Sequence, residues 1–464
     1  MNAFVRLKKI VINNIKNVKS GTIEVDKMNQ DMESLEESCV LGIYGQNGSG
    51  KTAVVDVMYM LQLLLKGEKL PNHAHKYIKY GENEASVQFE FYIDMGEKKY
   101  DIEYSFSIKK VDENKIILSK EKLYGAAFSE SRWENKKCIL EYSVDQTDSF
   151  VTPKYRNKDL LDNMDYYIQA KVAQEFTQGY DEEKKEPIVY SLFFQKKMQS
   201  VFENVKSYED IDLITKALSN YAKKDLIVIQ NEHFGLIDLN TSQMIFHVNF
   251  KDENEQVVGL VPINTEGKNI MPIKLFEKFL KVVEQTSEVI RVLVPEVTLM
   301  ISNKETKYTK DGEDGISFEI VTTRNGSIVP LECESAGIKK LISICSALIA
   351  YYNRATVCLV IDEFDSGIFE FLLGQILEIM QEYGKGQLIF TSHNLRALEV
   401  LNNESVIYTT IDPENRYKRF KYIKNTQNKR LSYLREAALG GQDIPLYHRT
   451  SDAKIKYALR KAGR

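Results

Sequence analysis

Cys39-Val40-Leu41-Gly42-Ile43-Tyr44-Gly45-Gln46-Asn47-Gly48-Ser49-Gly50-Lys51-Thr52 is the stretch on which the reading of the whole chain turns. Its first six residues form an apolar run with the length of a buried strand. The next eight match G-x-x-x-x-G-K-[ST] at every fixed position, and an amphipathic helix over 52–65 follows, which is the context that motif requires. Gly45, Gly48 and Gly50 let backbone N–H groups face a phosphate with no Cβ in the way, while Asn47 and Ser49 complete the cradle. The helix N-terminus adds a partial positive charge. Lys51 is expected to reach the β- and γ-phosphates of a nucleotide, and Thr52 to ligate Mg²⁺.

A second buried-strand run, Cys358-Leu359-Val360-Ile361, ends in Asp362-Glu363. Ligands sit at the carboxyl ends of strands in an open parallel sheet. Asp362 is therefore expected to hold Mg²⁺, directly or through water, and Glu363 to polarise the attacking water as general base. A helix over 369–381 and a further buried strand over 387–391 follow, completing a βαβ arrangement. His393, just beyond that strand, is placed to hydrogen-bond a γ-phosphate and sense its presence. Glu332-Cys333-Glu334-Ser335-Ala336-Gly337-Ile338 opens an apolar helix. Ser335 there reads as an N-cap, and as one half of a phosphate site offered to a second copy, with Gly337 as the other.

Strands are expected at 4–13 and 21–25, then as an antiparallel meander at 85–93, 100–109, 116–124 and 138–143. Helical periodicity marks 192–205, 208–221 and 273–292, and the stretch 226–261 is mixed. Strands resume at 297–302, 316–323 and 327–332, before a helix over 338–352. The predicted organisation is an N-terminal lobe of the nucleotide-binding head over 1–144, a mainly helical insertion over 145–294 for partner binding or dimerisation, a C-terminal lobe over 295–425, and a basic tail over 426–464.

The 464 residues include 43% hydrophobic and 28% charged residues with a formal net charge of −4, which describes an ordinary globular chain and excludes a polycation. Nucleic acid would have to meet a local patch. Arg416 to Arg430 supplies one candidate, with seven basic residues, no acidic ones and Tyr417, Phe420 and Tyr422 between them. The other reading of that stretch is a final strand with a solvated face. Arg449 to Arg464 is basic as well. The five cysteines are scattered without a CxxC pair, and His73 and His75 read as solvated, so neither disulfides nor zinc are expected. With no secretion signal and no apolar run long enough to span a bilayer, a cytoplasmic protein with no membrane partner is the expectation.

The phosphate loop, Ser-x-Gly helix start, Asp-Glu strand end and histidine, in this order, resemble the ABC-ATPase superfamily. The roughly 280 residues between Thr52 and Ser335 resemble its SMC/RecF/OLD branch rather than transporter ATPases. Tyr77-Ile78-Lys79-Tyr80-Gly81 before Ala85-Ser86-Val87-Gln88-Phe89 is similar to the strand entry of SMC-like heads. Ile328-Val329-Pro330-Leu331 running into Ser335-Ala336-Gly337 is similar to the degenerate signature of OLD-like ATPases. The resemblance covers residues 1–110 and 295–425. It implies an α/β fold: an ABC-ATPase head with a mixed P-loop sheet, an antiparallel β subdomain and a mainly helical insertion. It further implies ATP and Mg²⁺ as ligands, heads that dimerise or oligomerise around nucleotide, Ser335 and Gly337 on the γ-phosphate of the opposite copy, and Asp365 as the D-loop aspartate. Gln195 is the candidate Q-loop glutamine. Glu-Ser-Ala-Gly-Ile departs from the Leu-Ser-Gly-Gly-Gln signature of the family.

Neither a TOPRIM-like carboxylate cluster nor an HNH-like histidine set follows His393. The expectation is an ATPase without a nuclease of its own, resembling the ATPase components of two-component anti-phage systems such as PARIS or Septu. Such a protein would control a separate toxic effector, a nuclease being one class, in response to DNA or a phage-derived trigger. The alternatives are a repair or recombination ATPase of the RecF or coiled-coil break-repair type, and a slow-turnover ATP-bound scaffold.

Overall fold

The computed structural model describes residues 3–26, 37–129, 132–146, 150–181, 186–231, 243–251, 256–419, 430–431, 433 and 451–462. Its centre is a sheet in the order Leu226–Ile229, Cys358–Ile361, Gln387–Ser392, Cys39–Tyr44, Val406–Thr409, Tyr417–Lys418. The first five of these strands run parallel and the last is antiparallel. Parallel strands are covered on both faces, and alternate residues divide accordingly. Leu41, Ile43, Cys358, Val360 and Ile389 face one core, whereas Val40, Tyr44, Leu359, Ile361, Leu388 and Phe390 face another.

The first core lies between this sheet and an antiparallel sheet built from Phe4–Ile15, Val18–Glu24, Glu84–Asp94, Lys99–Lys110, Ile116–Ser129 and Lys137–Ser143. Helix Lys51–Lys66 fills the space between them and ends at Gly67, whose left-handed φ of 69° lets its N–H cap the last turn. The two sheets are joined by buried polar groups. The Gln387 amide accepts from Leu7 N at 2.9 Å and donates to Leu7 O at 2.7 Å, as a backbone neighbour would. Arg6, 2% exposed, donates to Glu37 O at 2.5 Å and Lys385 O at 3.4 Å, just ahead of two central strands.

The second core is closed by helix Ala336–Asn353, helix Ile273–Leu293 and an antiparallel sheet of Asn269–Pro272, Asp314–Arg324, Thr298–Tyr308 and Ser327–Pro330. Among the described residues no helix is long and apolar enough to cross a membrane.

Residues 145–294 do not form one uniform block. Helices Tyr155–Leu161, Met164–Glu175, Lys196–Asn204 and Glu209–Lys224 lead into Leu226–Ile229, which is an integral strand of the central sheet. The hairpin Gln243–Lys251 and Gln256–Asn264 follows. A strand of the central sheet thus lies within 145–294, where the sequence shows only a mixed stretch because a four-residue buried strand carries no period of its own. Residues 232–242 and 252–255 of the mixed stretch lie outside the described residues.

The helix expected from 192 begins only at Lys196. The Glu121 carboxylate, fully buried, accepts from Leu192 N at 2.8 Å and Phe193 N at 3.2 Å and so takes the N–H groups that would start it. In the basic stretch, Tyr417–Lys418 is the edge strand, and Arg416 and Arg419 spend their guanidinium groups on the carbonyls of Thr410, Asn17 and Glu24. Residues 420–429 lie outside the described residues, as do 449, 450, 463 and 464 of the tail around helix Asp452–Ala462.

Candidate functional site

The loop Gly45–Gly50 connects the central strand to the N-terminus of helix Lys51–Lys66. Its glycines are obligatory for two different reasons. Gly48 and Gly50 adopt φ of 72° and 93°, which L side chains avoid. At Gly45 the constraint is space, since a Cβ would stand 1.7 Å from Thr409 Oγ1. That hydroxyl lies 2.5 Å from Ser49 Oγ and 3.2 Å from Tyr44 O, and Tyr417 donates its hydroxyl to Gly50 O at 2.7 Å. The loop is thus braced from the two C-terminal strands of the sheet. The helix starts without a side-chain cap and without an acidic residue in its first turn, so its orphan N–H groups and positive dipole end meet no resident anion. This is the electrostatics a triphosphate requires.

Lys51 is buried and donates from Nζ to the carbonyls of Gly45 at 2.9 Å and Gln46 at 3.0 Å. Burial pushes its ammonium below the ordinary lysine range, and Asp362, Glu363 and Asp365 oppose that shift. Thr52 is exposed beside it.

Asp362 and Glu363 leave the sheet at the end of Cys358–Ile361. Thr391, on the adjacent strand, holds both: its hydroxyl donates to Asp362 Oδ1 at 2.5 Å and accepts from Glu363 N at 2.8 Å. Glu363 has a φ of 46°, in the left-handed region that a non-glycine residue occupies at a cost of about 1–3 kcal/mol. The turn is pinned by Lys340, which donates to Glu363 O at 2.6 Å and Ser366 O at 2.9 Å. Hydrogen bonds from a charged donor stabilise by about 1.5–3 kcal/mol each, enough to hold the strained turn. Asp365 accepts from His393 N at 3.1 Å. Enclosure of the site, and then the Lys51 ammonium, push the His393 imidazole below its ordinary range, while Asp365, Glu363 and Asp362 pull it upward. Lys51, Asp362, Glu363, Asp365 and His393 are therefore within electrostatic reach of one another.

Two residues at this site were not read from the sequence. Gln230 and Asn231 follow strand Leu226–Ile229 directly, beside the strand that carries Asp362 and Glu363. Asn231 Nδ2 donates to Glu363 Oε2 at 3.0 Å and so orients the carboxylate. Gln230, by contrast, is nearly buried, with Nε2 3.4 Å from Asp56 Oδ1. Gln195 is placed elsewhere: its amide donates to the backbone carbonyls of Ala173 and Ser191 and serves the fold.

Ser335 caps helix Ala336–Asn353, accepting from Ile338 N at 3.4 Å, and is exposed. Glu334 just before it is anchored by Thr322 at 2.6 Å and by Arg324 at 2.9 Å. Although its own burial works against ionisation, these donors hold the Glu334 carboxyl below its usual range. Gly337 faces the Glu363–Gly367 turn: a Cβ on it would lie 2.0 Å from Gly367 O.

A parallel sheet with the phosphate loop in its middle, carboxylates on the neighbouring strand ends and an antiparallel sheet packed across it define an ABC-type nucleotide-binding head. The chain belongs to the family described as AAA domain, putative AbiEii toxin, Type IV TA system, which matches residues 40–399. One component of the nuclease SbcCD of Bacillus subtilis (strain 168) is similar over 87 residues at 36% identity, a match that takes in 18% of this chain and 7% of that protein. The SMC head domain from Thermotoga maritima is similar at 14% identity and a TM-score of 0.37, over 90% of this chain and 100% of that one. The recombination mediator protein RecF of the RecFOR pathway is similar at 13% identity and a TM-score of 0.37, over 87% and 97%. The Smc head domain derived from Pyrococcus yayanosii is similar at 12% identity and a TM-score of 0.41, over 94% and 100%.

Proposed function

We propose that this chain is an ATPase that binds ATP with Mg²⁺ on its phosphate loop and hydrolyses it between two copies of the head. The observation that carries this is the convergence of Lys51, Asp362, Glu363 and His393 at the carboxyl ends of adjacent parallel strands. The loop glycines and the helix start Lys51–Thr52 bind the phosphates, with Asn47 and Ser49 in the cradle. Among the described residues no group of three or more His, Cys, Asp or Glu is arranged to hold a metal by itself. That suits Mg²⁺, which keeps few protein ligands and shares the rest with phosphate and water; Thr52 and Asp362 are the side chains that would hold it. Bound Mg²⁺ would neutralise charge on the phosphates. Glu363, oriented by Asn231, takes the proton of the attacking water. His393, kept neutral, hydrogen-bonds the γ-phosphate. Gln230 takes the Q-loop role in place of Gln195. Ser335, exposed, and the half-buried Gly337 beside it meet the triphosphate of the second copy, with Asp365 lining the same face.

The test is direct. Lys51→Ala is expected to lose bound nucleotide. Glu363→Gln is expected to keep it, to slow hydrolysis about 10²-fold or more, and to accumulate an ATP-dependent dimer by light scattering. Equal steady-state rates for Glu363→Gln and the parent chain would leave only the slow-turnover scaffold.

The family description, with its putative toxin of a toxin–antitoxin system, favours a defence role. In that role the head senses a DNA or phage-derived trigger and controls a separate effector, a nuclease being one class, as in PARIS- or Septu-like systems. The match to a component of a nuclease complex supports a second reading, repair or recombination. ATP-dependent DNA binding with a steep salt slope is the outcome that reading requires. No shift of DNA at low salt with ATP removes it, whereas co-purification of a neighbouring gene product supports the first.

A further inference from the structure

Helix Ala336–Asn353 and the turn after Glu363 are in contact at two points one helical turn apart. The first is backbone on backbone, Gly337 against Gly367, with no room for a side chain on the helix residue. The second is Lys340. It lies 3% exposed in the helix, and its ammonium is spent on two carbonyls of a single turn, those of Glu363 and Ser366. An apolar side chain at this place would fill the same space without tying the helix to the turn. The residues so tied are not equivalent in role. Ser335, five residues earlier, is the exposed end of the helix, while Glu363 is the base and Asp365 is bonded to His393 N.

We infer that Lys340 is a positioning residue that links the surface offered to the second copy's triphosphate with the turn that aims Glu363 in the same chain. Closure of the dimer on Ser335 is thereby transmitted to the other active site. This rests on the reading of Ser335 and Glu363 given above. When Ser335 seats on the opposite triphosphate, the helix start becomes fixed, and the Lys340 bonds fix the left-handed Glu363 backbone with it. Each site then turns over only when its neighbour is loaded.

The experiment is a double-mutant cycle on the full chain with Ser335→Ala and Lys340→Met, reading nucleotide retention, melting temperature, and kcat and KM for ATP. Lys340→Met is expected to retain nucleotide and to lose kcat by about 10²-fold, because a base displaced by a fraction of its reach loses that much. Its dependence of rate on ATP concentration becomes non-cooperative. Lys340→Arg, which can donate to both carbonyls, recovers most of the loss. Adding Ser335→Ala to Lys340→Met costs little more, since both act through one link. A parallel fall in melting temperature, retention and kcat, or fold-losses that simply multiply in the double variant, overturns the inference. Should Lys340→Met not fold, Lys340→Gln replaces it in the same cycle. If Ser335→Ala alone leaves hydrolysis unchanged, the dimer reading fails and takes the inference with it. If Ser335→Ala slows hydrolysis but the cycle multiplies, only the Lys340 link fails.

Discussion

Glu363 is a candidate base from its place after four apolar residues and an aspartate, but that place does not tell what aims it. Asn231, Thr391 and Lys340 contact its side chain, its N–H and its carbonyl, and each comes from a different stretch of the chain. An asparagine after a short apolar run, a threonine in a strand and a lysine in a helix are ordinary surface residues by type, and only tertiary placement gives them roles. Lys51, Thr52 and Asp362, by contrast, stand in patterns that loop, helix and strand carry locally, which is what makes them candidates from the sequence. Asn231→Ala should leave ATP affinity unchanged and lower kcat about tenfold, since it removes orientation and not charge; single-turnover kinetics with measured nucleotide binding check this. A fall in affinity of the same size would assign Asn231 to binding instead.

At the scale of elements, the strands and helices around the phosphate loop follow from alternation and period. The strand Ile116–Ser129 shows where alternation misleads. The pairing of Lys99–Lys110 with it shifts register between Ser107 and Ile108, whose partners are Lys120 and Leu118. That bulge changes the phase of the strand, so Leu118 and then Glu121 and Leu123 point inward. Glu121 is the result: a carboxylate in the core, with Tyr104 OH at 2.7 Å and Ser191 Oγ at 2.5 Å on Oε1 and two backbone N–H groups on Oε2. Burial pushes its carboxyl up to about 7, against the pull of these donors. The unfolded chain has released this proton by pH 5 or so, while the folded chain keeps it to about 7. Over that interval the folded state binds more protons, so stability falls as pH rises and levels off above it. Glu121→Gln can keep its oxygen on the two N–H groups and turn its amide to the two hydroxyls, which donate to the carboxylate in the parent chain and can accept from an amide once rotated. Melting temperatures from pH 5 to 8 should therefore fall less steeply in Glu121→Gln than in the parent chain. An identical slope would remove Glu121 as the source.

At the scale of the whole molecule, the central sheet and the antiparallel sheet that share the first core are fastened by a few polar groups of long sequence separation. Gln387 stands in for a missing strand neighbour of Leu7, 380 residues away. Gln387→Leu leaves the buried Leu7 N–H and carbonyl without that partner and should cost about 1–3 kcal/mol each for groups left unsatisfied; urea unfolding at fixed pH measures it, and a change under about 0.5 kcal/mol would show that the joint is held by apolar packing alone. The central sheet carries the same lesson further. The strand leading into the phosphate loop, Cys39–Tyr44, lies between Gln387–Ser392 and Val406–Thr409. During synthesis on the ribosome, the loop thus emerges some 350 residues before either flank exists. A nascent chain that has emerged only as far as the loop carries the whole motif and yet lacks both neighbours of its strand, so the loop is mounted only once residues 387–409 have followed.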